Sequence, residues 1–153
     1  MPSQAIDLSF LDGLTPEQAA SLLTDSEKAL EKTKCEEDLA EYVRCAWSIL
    51  EPSAPLIWNW HIDVVCEYLH AVEDGTITRL IINIPPGTMK SLIVSVFFPS
   101  WIWTRTPSKR FLCGSNEGTL ATRDSLKMRQ LVESQWYQEH WGDRVKLSHD
   151  QQE

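Results

Sequence analysis

A short apolar run rich in β-branched residues, Arg79-Leu80-Ile81-Ile82-Asn83-Ile84, leads into Pro85-Pro86-Gly87-Thr88-Met89 and then into a helical pattern that begins Lys90-Ser91. This change of period constrains the fold more than any other feature. The run is too short and too continuously apolar for a surface helix and reads as a buried strand. Two prolines and a glycine force a loop. From Lys90 to about Trp103 the spacing predicts a helix, with a bend at Pro99. Thr106-Pro107-Ser108 makes a turn, Arg110 to Ser115 reads as a second strand, and Glu117 to Glu133 as a long amphipathic helix. Strand, helix, strand, helix in that order predicts an α/β fold with parallel strands.

Upstream, the pattern is helical. Thr15-Pro16-Glu17-Gln18 is a helix start: Thr15 as N-cap, Pro16 in the first turn and Gln18 closing a capping box. Further helices are expected from Glu36 to Leu50 and from about His61 to Glu73, the second stopped by Gly75. The expected organisation is an acidic helical extension over 1–35, followed by a domain over 36–153.

Charge divides the chain in two. Residues 1–75 hold 15 acidic and 4 basic side chains, while residues 76–153 hold 7 acidic and 10 basic. The overall charge of −8 therefore belongs to the first half, and the second half can approach an anion without opposing its own field. With 42% hydrophobic and 24% charged residues, wholesale disorder is excluded. The seven tryptophans are expected mainly as core anchors. Cys35, Cys45, Cys66 and Cys113 have no metal-site spacing. The opening residues MPSQAIDLSF have no signal-peptide pattern, and the most apolar run, Leu92 to Trp103, is too short to span a bilayer. These features lead to the expectation of a soluble, intracellular, reduced protein that is not secreted.

A strand, a loop and a helix beginning Lys-Ser form the setting of phosphate-binding loops. Loop amides and the helix N-terminus face the anion, the Lys reaches the terminal phosphates, and the Ser hydroxyl coordinates magnesium. Lys90 and Ser91 fit those roles. The regular spacing GxxxxGK[ST] is half met, because Ile84 and Met89 occupy its two glycine positions and only Gly87 supplies backbone freedom. An ordinary strand-to-helix turn with an exposed lysine is the competing reading of the loop.

The surrounding sequence resembles the large subunit of tailed-phage terminases, the ATP-driven motors that package DNA into capsids. The resemblance runs over roughly 36–150 and rests on several pieces in order: Ala46-Trp47-Ser48-Ile49-Leu50-Glu51-Pro52, Trp58-Asn59-Trp60-His61-Ile62, the Pro-Pro loop ending in Lys-Ser, Pro99-Ser100-Trp101, Arg123-Asp124-Ser125, Arg129 to Ser134, Trp136-Tyr137-Gln138 and Trp141-Gly142-Asp143-Arg144. It implies a partial P-loop NTPase-type parallel sheet with flanking helices. It further implies ATP and magnesium as cofactors, with Pro86, Gly87, Thr88, Met89, Lys90 and Ser91 at the phosphates. In this scheme Lys90 is the catalytic lysine, Ser91 the magnesium ligand, and Trp60 and His61 the contacts to adenine. Double-stranded DNA, a small terminase subunit, a portal ring and sibling subunits are the implied partners, in a host cytoplasm. On α-helical positions after the second strand, Arg123, Lys127 and Arg129 are either arginine-finger-like groups or a salt-bridged face. No apolar strand ending in paired carboxylates follows Ser115, and the family's nuclease domain is absent, so the expectation is an N-terminal portion that hydrolyses ATP little or not at all. Two other readings stay open: a helicase-like nucleic-acid-dependent ATPase, and a non-catalytic truncated remnant or adaptor.

Overall fold

The computed structural model describes residues 13–147. The expectation that rests on the first ten residues lies outside them. By backbone contacts the chain divides into two units, residues 1–33 and 34–153.

In the first unit the capping box forms as the residues dictate. The Thr15 amide donates to Gln18 Oε1 at 2.9 Å, and the Gln18 amide donates to Thr15 Oγ1 at 3.3 Å. From there α1 runs Pro16–Glu37, and its turns before Lys34 carry exposed Leu22, Leu23 and Leu30.

The second unit is a helical assembly. It takes in the last turn of α1, followed by α2 Leu39–Leu50, α3 Trp60–Glu73, α4 Lys90–Leu92, α5 Phe98–Arg105, α6 Gly118–Glu133 and α7 Gln135–Trp141. A π-helical segment, Ile93–Phe97, joins α4 to α5, so that Lys90 to Arg105 forms one continuous helical rod. Pro99 explains the wide turns. Its ring has no N–H and would strike the carbonyl four residues back, and widening the preceding turns relieves both problems. The rod is apolar on nearly every side, and α2, α3 and α6 all pack against its π-helical stretch. Ile93, Val96, Phe97, Trp101 and Ile102 are buried there with Tyr42, Val43, Ile62, Leu131, Tyr137 and Trp141.

The buried hydroxyls of Tyr42, Tyr137 and Ser100 and the Trp101 indole are hydrogen-bonded. Tyr42 donates its hydroxyl to Ser100 Oγ at 3.0 Å, and Tyr137 donates to the Ser100 carbonyl at 2.9 Å. Trp101 Nε1 donates to the Cys35 carbonyl at 2.7 Å, fastening the last turn of α1. At the start of α2, Asp38 accepts from the Ala40 amide and His70 Nε2 from the Leu39 amide, which satisfies two donors the helix cannot use itself. His140 is buried and donates from Nδ1 to the Trp136 carbonyl at 2.7 Å. Both histidines are structural.

The expected α/β parallel sheet is not formed: among the described residues none is in a strand. The partial P-loop NTPase-type sheet is replaced by helices with two unpaired extended segments. Between Leu80 and Ile84 the side chains do alternate as a strand's would, with Leu80, Ile82 and Ile84 packed on the core and Ile81 93% exposed. Between Arg110 and Ser115, Phe111 packs edge-on to Phe98 and Trp103, while Leu112 stands wholly in solvent. β-Branched, alternating sequence favours extended backbone. A strand also needs a neighbouring backbone to supply its ladder, and neither segment hydrogen-bonds to the other.

Candidate phosphate-binding cleft

Two backbone conformations and one side-chain hydrogen bond shape the loop that precedes the rod. Gly87 has φ +81°, a left-handed conformation that costs glycine nothing. Met89 is also left-handed, at φ 63°, where a side chain costs about 1–2 kcal/mol. Thr88 donates its hydroxyl to the Pro85 carbonyl at 2.7 Å and closes the turn. Met89, at a glycine position of the regular motif, thus adopts the glycine-like backbone conformation and stores strain, a feature concentrated at ligand-binding loops. The Met89 carbonyl accepts from the Ile93 amide at 2.9 Å, which starts the rod.

Loop and rod open onto a cleft of 530 Å³. Pro86, Gly87, Thr88, Met89, Lys90 and Ser91 all line it, together with Ile84, Pro85 and Leu92. Opposite them α6 supplies Leu120, Arg123 and Lys127. The lining therefore holds three cations and no carboxylate. Arg123 bonds through Nε and Nη2 to Asp124 Oδ1 at 3.0 and 2.7 Å. Lys127 is ion-paired with Glu51, which directly follows α2 and lies outside the lining. Lys90 has no ion pair among the described residues. Arg129, the third basic position on α6, does not line the cleft.

Trp60 and His61 are not brought into this cleft. They line a second one of 340 Å³ with Val64, Val65, Tyr68 and residues 80–84, and the two clefts share Ile84. Trp60 opens α3 just after its N-cap Asn59 and is 72% exposed, so it is not the core anchor its type suggested. Trp58 is the braced tryptophan of this stretch. It donates to Asp63 at 2.9 Å under the Arg44 guanidinium, 3.4 Å from its ring centroid.

The lining can hold an anion with several charges: two lysines and an arginine converge on one space beside a glycine-bearing turn. For magnesium it offers the exposed Ser91 hydroxyl. Magnesium keeps several waters and binds through few protein oxygens plus substrate phosphates, so one hydroxyl fits that ion when a phosphate supplies the rest. Among the described residues no group of three or more His, Cys, Asp or Glu side chains is placed to hold a metal by itself. Burial, with Asp38 and Asp63 nearby, pushes the Cys66 thiol up to about 12, and desolvation raises Cys113.

Sequence reasoning missed Leu120 as a lining residue and Glu51 as a partner, because both lie far from the loop in the chain. Only the opposite signs of Lys127 and Glu51 hinted at a pair. No helix of the described residues is long and apolar enough to cross a membrane. No family model, curated protein or solved structure matches the chain.

Proposed function

We propose that this chain carries the ATP-binding loop of a DNA-packaging motor of the tailed-phage terminase type. Lys90 contacts the terminal phosphates and Ser91 the magnesium ion. One observation carries the reading: the six residues from Pro86 to Ser91 line a single cleft whose far wall adds Arg123 and Lys127. An ordinary turn with a solvent-facing lysine accounts for neither the convergence of cations nor the strained backbone at Met89. The base end of the nucleotide extends past Ile84 toward Trp60 and His61. The reading rests on the loop and its cleft and needs no sheet. Double-stranded DNA, the small subunit, the portal ring, sibling subunits and a host-cytoplasmic setting belong to the same proposal and stand on the sequence resemblance alone.

Because no carboxylate lines the cleft, nothing in it positions an attacking water. This chain is therefore expected to bind magnesium-ATP and to hydrolyse it little. Calorimetric titration with a non-hydrolysable ATP analogue and magnesium checks the site. Lys90→Ala should weaken binding at least about tenfold, the value of one charge-assisted contact, with unchanged thermal stability. No binding by the unaltered chain at millimolar nucleotide would favour the non-catalytic adaptor. Robust turnover abolished by Lys90→Ala would overturn the expectation of inactivity.

A further inference from the structure

We infer that Lys127 is a phosphate ligand held in reserve by Glu51, and that with Arg123 and Lys90 it selects a polyphosphate chain over a single phosphate. The inference rests on the proposed phosphate site and assigns to it both a ligand class and a control. Arg123 and Lys127 are one turn apart on α6, and like charges at that spacing repel. Each is neutralised by an acid outside the cleft lining, Arg123 by the adjacent Asp124 and Lys127 by Glu51, 76 positions away in the chain. The two pairs differ in kind. Asp124 travels with Arg123 on the same helix, so that pair stays together whatever enters the cleft. Glu51 follows the C-terminus of α2, and its pair with Lys127 links two helices through side chains that are 34% and 26% exposed.

Such a contact still reaches water and can be exchanged for a stronger anion, because desolvation and side-chain entropy offset part of its Coulomb gain. A multiply charged anion seated beside Lys90 offers Lys127 several oxygens in place of one carboxylate. The exchange releases Glu51 and removes one of the ties between α2 and α6, which keep the bond from Gln130 Nε2 to the Ile49 carbonyl. A monophosphate reaches fewer of the three cations and gains less from the exchange. Occupancy of the cleft is in this way coupled to the end of α2, with the Glu51–Lys127 pair as the coupling element.

The test is titration of inorganic triphosphate and of inorganic phosphate into the full chain and three variants. Lys127→Met should weaken triphosphate binding about tenfold and phosphate binding less. Glu51→Gln removes the competitor and should tighten triphosphate binding roughly threefold. In the unaltered chain, the side-chain NMR resonance of Lys127 should move on titration and saturate with the calorimetric affinity, a readout that needs no variant to fold. If Lys90→Ala loses binding while Lys127→Met and Glu51→Gln match the unaltered chain, the phosphate site stands and this inference falls. A Lys127 resonance unmoved at saturating triphosphate also overturns it. Unchanged affinity in Lys90→Ala sinks the phosphate-loop reading itself.

Discussion

The two ends of the Lys90–Arg105 rod are opposites. Around Ser100 the core is closed: Tyr42, Tyr137 and Trp101 are wholly buried, and their polar atoms reach Ser100 and Cys35. At the Lys90 end the rod emerges from a strained turn beside an open cleft, and the extended segment feeding it leaves Ile81 in solvent. The closed end fixes where the rod lies, and the open end presents its first two side chains. A binding loop is held accurately when the element behind it cannot shift, which is the use of so dense a core in so small a unit.

The contrast predicts unequal responses. Trp101→Ala should cost the most, about 3–5 kcal/mol in chemical denaturation, through the cavity and the lost bond to Cys35. With total stability of about 5–15 kcal/mol expected, that approaches global unfolding. A loss near 1 kcal/mol would show that the closed end is not close-packed.

Alkali should come next. Burial raises the hydroxyls of Tyr42 and Tyr137, and raises Cys66 from 9.0 to about 12. The folded chain therefore keeps protons that the unfolded chain releases. This contribution is complete well below pH 9 and is lost as pH rises from 9 toward 12. Denaturant midpoints measured across that range check it; a flat profile would mean that these groups are wetter than their burial implies.

The smallest effect belongs to the open end. Ile81→Ser should change stability by no more than about 0.5 kcal/mol, since the side chain is 93% exposed. A loss of 2 kcal/mol or more in the chain alone would mean that Ile81 is covered in solution and would erase the difference between the two ends.

Much of this was legible in advance. The capping box at Thr15 and Gln18 and the helices near 39–50, 60–73 and 118–133 all follow from local spacing and cap chemistry. The strands were not, although Leu80 to Ile84 alternates as a strand should. Alternation encodes an extended backbone and an inner face, whereas a sheet also requires a second backbone alongside.

By itself, the sequence determined where several helices begin, that a glycine-bearing turn delivers Lys90 and Ser91 to the head of a helix, and how charge divides between the two halves of the chain. Those are properties of neighbours in the chain, governed by caps, φ preferences and period. Only the tertiary structure decided that the extended runs stay unpaired, that Trp60 and His61 face a separate cleft, and that Arg123 and Lys127 stand opposite the loop with Glu51 behind one of them. Those facts depend on which surfaces meet once the core closes. The Glu51–Lys127 pair, separated by 76 positions, has no local signal because neither residue shapes the backbone that brings them together.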